Sequence, residues 1–356
     1  MEQWRAQRSA RRPGPMAARV VLPSATMKDQ ATGRPYDGLS PEVMIAAVEA
    51  AGFRCDGREL ALNSYENRVY QIGIEDDVPV VAKFYRPGRW SDEQIQEEHG
   101  FAWELFEQEI PVVPPIRVDG RTLLRYEGFR YSVYQRRGGR WPDLENADVR
   151  LWLGRFLGRI HRVGSARPFA TRPLLTVDEF GWQARKYLLE NDWLPGHILK
   201  PYESLSRDVL ERIEDVLGEV GELDLLRLHG DCHPGNILWT DDGPHFVDLD
   251  DTRMGPAIQD LWMLLSGERH EMEAQLADIL CGYAEFHEFD FRELRLLEVL
   301  RTLRIMHYEA WIARRWADPA FPRAFPWFEE NRHWEEHLLT LKEQVALIDE
   351  MPLQID

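Results

Sequence analysis

Short apolar runs rich in Val, Ile and Tyr crowd the first third of the chain, and apolar residues at helical spacing dominate the rest. The runs Glu59–Leu62, Arg68–Ile74 and Val78–Tyr85 predict strands, as do Thr122–Tyr126 and Arg130–Gln135. Ser40-Pro41-Glu42 carries a cap residue, a first-turn proline and a first-turn acid, so a helix should start there and end near Gly52. Ser91 to Gln94 has the S-x-x-Q form of a capping box. It opens a helix through Glu107, with Phe101, Leu105 and Phe106 at helical spacing. Gly138-Gly139 breaks the pattern. Beyond it the spacing predicts helices over 147–162, 178–190, 203–221, 259–266, 271–287, 291–316 and 329–349, interrupted by one β-rich island at 225–250. The class expected is α+β. An aperiodic extension covers 1–37, a small β-rich lobe, which includes the first two helices, 38–137, and a large, mainly helical lobe 138–356.

Composition narrows this picture only slightly. The 356 residues are 44% apolar and 29% charged, as in ordinary globular proteins. A net charge of −18 disfavours nonspecific binding to nucleic acid or anionic membrane and leans towards cationic partners. Cys55, Cys232 and Cys281 are too few and too scattered for a disulfide framework, which fits a reducing cytoplasm. No apolar stretch approaches the roughly 18 residues of a membrane span. The N-terminal Arg5, Arg8, Arg11, Arg12 and Arg19 lack the apolar core of a secretory signal. An unstructured extension is expected there, with a transit peptide as the alternative and Met27 as an alternative start. A monomer is expected.

The chemistry-bearing segment is Leu228-His229-Gly230-Asp231-Cys232-His233-Pro234-Gly235-Asn236-Ile237-Leu238-Trp239, followed by Phe246-Val247-Asp248-Leu249-Asp250-Asp251. Phosphoryl transfer asks for a carboxylate on the attacking hydroxyl and hard oxygen ligands that hold Mg²⁺ against nucleotide phosphates. Asp231 suits the first task, and Asn236 with Asp248 suits the second. His229, Cys232 and His233 do not have the spacing of a tetrahedral zinc set. His229 is expected to be a buried brace and Cys232 a small core residue. Of Asp250 and Asp251, one should support the metal ligand and the other should be solvated. Val80-Val81-Ala82-Lys83 reads as a strand that points a lysine at phosphates, paired with Glu97 or Glu98 of the following helix. Glu98 is preferred because the apolar helix face surrounds it. The loop at 62–70 has no glycine, which leaves Ser64 as the phosphate contact.

On these residues the chain resembles the aminoglycoside phosphotransferase-like kinases, whose loop reads H-G-D-x-H-x-x-N before a strand that ends in Asp. Five segments (62–70, 83–87, 228–239, 246–251 and 315–322) resemble a bacterial stress-response branch of that family. The resemblance implies a protein-kinase-like two-lobed fold and a cytoplasmic enzyme that uses ATP and Mg²⁺ on Ser and Thr of proteins. It also implies Asp231 as proton acceptor, Asn236 and Asp248 as Mg²⁺ ligands, Ser64 and Lys83 as ATP contacts, and adenine on backbone near Gln135 to Arg137. Relatives that phosphorylate aminoglycosides, choline or other alcohols keep a small cationic acceptor open. A nucleotide-binding scaffold without turnover is the alternative from another class.

Two departures from ordinary protein kinases stand out. Gly230 occupies the place of the Arg that anchors a phosphorylated activation loop, and only eleven residues separate Asp248 from Asp260. Activity without a loop-phosphorylation switch is expected. Asp260 should brace the loop at 228–239 or cap a helix.

Overall fold

A computed structural model describes residues 35–355. The expectation of an aperiodic extension over 1–37 lies, up to residue 34, outside the described residues. Helix α1 (Pro41–Ala50) begins where the Ser40 side chain accepts from Val43 N. Then come β1 (Cys55–Ala61), β2 (Arg68–Ile74), β3 (Asp77–Phe84), α2 (Asp92–Glu107), β4 (Leu124–Tyr126) and β5 (Phe129–Gln135). The strands form one antiparallel sheet in the order β1-β2-β3-β5-β4. Val80, Ala82 and Phe84 of β3 pack with Met44, Ala47 and Val48 of α1 in the core of this lobe. Period-two alternation therefore turns Lys83 to the opposite face, between Val69 on β2 and Ser132 on β5.

The capping box of α2 is complete, with Gln94 N donating to Ser91 Oγ and Ser91 N to Gln94 Oε1. Phe101 and Leu105 of this helix join the large core of the helical lobe rather than the core under the sheet, so α2 ties the two lobes together. Gly139 is less a hinge than a close approach. A Cβ there would come 2.8 Å from Leu238 Cβ. Arg140 and Trp239 exchange backbone hydrogen bonds of 3.0 and 2.7 Å, which zips the connection onto the helical lobe.

The helical lobe runs α3 (Ala147–Gly164), α4 (Gln183–Glu190), α5 (Gly196–Val220), β6 (Leu226–Leu228), β7 (Ile237–Thr240), β8 (Gly243–Phe246), β9 (Arg253–Gly255), α6 (Ile258–Leu261), α7 (Arg269–Tyr283), α8 (Leu297–Arg314), α9 (Ala320–Ala324) and α10 (Asn331–Asp349). Helix α3 packs on α7, α5 on α10 and α4 on α8. Two pairs, β6-β9 and β7-β8, carry the loops that matter below. The sequence places the start of α5 at 203, seven residues late. Gly196 and Pro201 read as breakers, yet the helix runs through Pro201 at the cost of one intrahelical hydrogen bond. Helix α9 and strand β9 fall outside the predicted elements. Both are short, and tertiary contacts set them more than local pattern does.

Candidate active site

The turn after β6 is held by backbone-directed bonds from a buried carboxylate. His229 N donates to Asp260 Oδ2 at 2.7 Å and Gly230 N to Oδ1 at 2.8 Å. His161 Nε2 sits 3.1 Å from the same carboxylate and orients it. Asp260 thus braces the loop and is not the cap of α6, whose cap residue is Ala257. His229 is buried, and its Nε2 donates to Val247 O at 3.0 Å, which fastens the loop to the segment after β8. Gly230 has φ +86°, and a Cβ there would lie 2.1 Å from Asp251 O. No side chain fits, so the arginine of ordinary protein kinases is excluded at this position on packing grounds.

Asp231 projects from this braced turn. Asn236 Nδ2 donates to its backbone oxygen at 2.9 Å and to its Oδ2 at 3.3 Å. Both amide bonds of Asn236 point at Asp231, which leaves Asn236 Oδ1 as an outward oxygen donor. The Asp231 carboxylate also pairs with Arg304 of α8 at 2.6 Å and lies 3.5 Å from His233 Nε2. Burial alone would raise its pKa, but the His233 contact and the Arg304 cation outweigh it and hold the carboxyl well below its usual range. Cys232 beside it is fully buried in the core.

Lys83 is enclosed by carboxylates, with Nζ 3.0 Å from Asp248, 2.9 Å from Asp250 and 3.9 Å from Glu98. Burial opposes the ammonium, yet Asp248, Asp250 and Glu98 together keep its pKa above the ordinary value. Glu98, not Glu97, is the glutamate that faces it. Glu97 instead accepts from the backbone of Thr171 and Arg172, both at 2.8 Å. Arg172 fixes Glu98 through a 2.7 Å bond and donates to Asp250 O at 2.8 Å. Burial pushes Glu98 up to about 6 against the pull of Lys83 and Arg172. Asp248 has φ +60°, a strained setting that Asp tolerates better than most residues, and its side chain is half exposed to the cleft. The expectation that one of Asp250 and Asp251 is solvated holds only in part, since Asp251 keeps about a third of its side chain exposed (33%) but is ion-paired rather than free. Asp250 is 2% exposed and pairs with Lys83 and Arg89, while Asp251 holds Arg89 at 2.7 Å and Arg253 at 3.2 Å. Three cations concentrated behind the cleft require both charges.

Ser64 lies half-buried in the turn between β1 and β2. The turn is pinned to the helical lobe. Glu66 accepts from Trp311 Nε1 at 2.6 Å and pairs with Arg315 at 2.6 Å and Arg86 at 2.9 Å. Asp318 pairs with Arg68 at 2.8 Å and Arg86 at 2.6 Å, and Tyr65 packs on Phe325. Gln135 ends β5 at the exposed edge of the connection, where its Oε1 accepts from Arg137 at 3.1 Å.

The oxygen donors fit a hard cation. Asn236 Oδ1 and the cleft-facing Asp248 carboxylate are the kind of ligands Mg²⁺ takes when nucleotide phosphates supply the others. Among the described residues no group of three or more His, Cys, Asp or Glu is arranged to hold a metal ion alone. No described helix is long and apolar enough to cross a membrane. Sequence reasoning missed Arg172, Arg304, Arg86 and Asp318. Each acts through a partner far away in the chain; Arg86 and Asp318 fall in segments that carry the family resemblance, but nothing local shows what they pair with.

Comparison with known proteins places the chain in a family. Residues 58–297 match the model of the phosphotransferase enzyme family. Stress response kinase A of Salmonella choleraesuis (strain SC-B67) is 44% identical over 320 residues, covering 90% of this chain and 97% of that protein. A protein named serine/threonine protein kinase RdoA, from Salmonella typhimurium, is 43% identical over the same shares. Among solved structures, the amicoumacin kinase hAmiN, in complex with AMP-PNP, Ca²⁺ and Ami, superposes with a TM-score of 0.66 at 18% identity, over 87% of this chain and 95% of that one.

Proposed function

The chain belongs to the phosphotransferase enzyme family, as a relative of the bacterial stress response kinase A proteins, and on that premise we propose that it transfers the γ-phosphoryl group of ATP to Ser or Thr hydroxyls of proteins. The observation that carries the reading is the joining of two lobes at one point. Lys83 of the sheet meets Asp248, whose segment is tied through Val247 to the loop that presents Asp231 and Asn236. In this reading Lys83, held by Glu98, binds phosphate oxygens, and Ser64 contacts phosphate from the pinned turn. The nucleotide base lies on the connection at Gln135 to Arg137. Asn236 Oδ1 and Asp248 hold Mg²⁺, which when bound neutralises charge on the transferring phosphoryl group.

Asp231 orients the acceptor hydroxyl. As the acceptor oxygen bonds to the γ-phosphorus, the bond from that phosphorus to the bridging oxygen breaks and ADP leaves with its electron pair. The hydroxyl proton passes to Asp231, which stays ionised at neutral pH because of its basic neighbours. The protein acceptor is supported by the 43–44% identity to proteins whose names describe stress response and serine/threonine kinases. Three free cysteines and ATP as the donor accord with a cytoplasmic setting.

The test is transfer from γ-labelled ATP with Mg²⁺ to a mixed protein substrate and, in parallel, to aminoglycosides and amino-alcohols. Phosphoamino-acid analysis should find label on Ser and Thr. Label confined to the small alcohols would refute the protein acceptor, and ATP-stabilised protein without any label would refute the enzyme.

A further inference from the structure

Next to Asp231 a cavity of about 410 Å³ opens between the helical-lobe loops and α8, and its wall includes His233, Trp262, Met263, Ser266, Arg301 and Arg304. Every ionisable side chain in that wall is basic. Arg304 reaches out of the wall to the Asp231 carboxylate at 2.6 Å. Arg301 lies one helical turn before it on α8, over the Trp262 ring, anchored by Glu298 at 2.7 Å. A second cavity, about 330 Å³, shares Arg301, Gly267 and Met272 with the first, but its wall mixes Arg269 and Arg295 with Glu268, Glu298 and Glu350, so the uncompensated positive charge is confined to the end beside Asp231. The two form a trough that leads away from Asp231 between α7 and α8.

The net charge of −18 leans towards a cationic acceptor, but this local field points the other way. Local charge decides, because charges beyond about 8–10 Å are screened at physiological salt. The acidic stretch at 329–336, around the start of α10, takes no part in the cavity. Its Glu335 pairs with His197, and its Glu336 with Arg332.

We infer that the acceptor is anionic: a Ser or Thr flanked by an acidic residue, whose carboxylate draws Arg304 off Asp231 as the hydroxyl takes its place. This rests on Asp231 as the hydroxyl-orienting group and names the substrate class of that site. Arg304 and the acceptor hydroxyl compete for one carboxylate. A neutral or basic acceptor leaves Arg304 where it is, and an acidic neighbour gives the guanidinium a new bidentate partner. Arg304 is therefore a specificity-determining residue that also guards the empty site.

The experiment compares Ser peptides on one scaffold, with Asp, Ala or Lys beside the Ser, as substrates of the full chain with γ-labelled ATP and Mg²⁺. Glycerate and choline serve as small anionic and cationic alcohols. The Asp peptide should exceed the Ala peptide in kcat/KM by on the order of tenfold or more, the worth of one charge-assisted bond, with Lys worst. Arg304→Gln should shrink that ratio to near one, and Arg304→Glu should turn the preference towards Lys, at an unchanged melting temperature. Equal use of the three peptides, or a preference that survives Arg304→Gln, overturns the inference while leaving the kinase reading intact. Labelling of glycerate but no peptide upholds the anionic acceptor and refutes the protein one. Labelling of choline alone refutes both the anionic and the protein acceptor and leaves only the phosphotransferase.

Discussion

Lys83 Nζ stands 3.0 Å from Asp248 Oδ1, so the central strand of the sheet is tied directly to the half-exposed carboxylate at the cleft. The proposed roles of both residues require this pair to loosen, with the lysine turning to phosphate and the carboxylate to Mg²⁺. Replacing Lys83 by Met leaves Asp250 and Glu98 with their arginine partners only. We expect a KM for ATP raised at least tenfold and a stability loss on the order of 1–3 kcal/mol. Titration of ATP binding and thermal melting check this. An unchanged KM would remove Lys83 from the nucleotide site.

The contacts of Asp318 with Arg68 and Arg86 give a second prediction. They hold the turn that carries Ser64 against the helical lobe, together with Glu66, Trp311 and Arg315. Asp318→Asn should lower stability by on the order of 1–3 kcal/mol, because Arg86 is buried and keeps only Glu66 as an anionic partner. It should also weaken ATP binding, and hydrogen exchange should rise at 62–67. Unchanged exchange there would show that the turn holds its shape without the latch.

The pH dependence follows from Glu98. Its carboxyl titrates near 6, above the ordinary 4.5, because burial disfavours its charge more than Lys83 and Arg172 favour it. The Lys83–Glu98 pair therefore forms only as pH rises through about 6, and activity should fall on the acid side with a midpoint there. The stability contribution of this group runs in the opposite sense. It is fully present below about 4.5, where both folded and unfolded chains are protonated, and is lost as pH rises through about 6. Asp231 is not the source of the acid limb, since its carboxyl titrates far lower. A pH–rate profile of Glu98→Gln should lack the limb near 6. A limb that persists there belongs to another group.

Sequence pattern made some of this legible and physics hid the rest. The capping box at Ser91 and the placement of Glu98 within the apolar face of α2 are local signals, and both appear in the fold. Asp231, Asn236 and Asp248 stand close in the chain on one loop and the next strand end, so their assembly could be read from spacing alone. Arg172, Arg304 and Asp318 could not be read this way. Their partners lie far along the chain (Arg68 and Asp318 are 250 positions apart), and only the folded lobes bring them together. The ion pairing of the partly exposed Asp251 was missed for the same reason, since Arg89 and Arg253 are invisible to local pattern.

The segment after Asp248 leaves no room for a regulatory loop. Strand β9 pairs with β6, Met254 N donates to Pro173 O at 2.9 Å, and Leu175 N donates to Met254 O at 2.9 Å. Gly230 cannot accept the arginine that a phosphorylated loop needs. Freshly purified protein treated with a phosphatase should keep its full activity. Activity abolished by the phosphatase would reveal a phosphorylation switch elsewhere.

The most direct measurement is the single-turnover rate of phosphoryl transfer in wild type and Asp231→Asn, with ATP binding and melting temperature measured alongside. The account predicts a rate lower by roughly 10²–10⁴ in the variant, with ATP binding and folding retained, as removal of a general base requires. Equal rates in the two proteins would contradict it and would move the hydroxyl-orienting role away from Asp231.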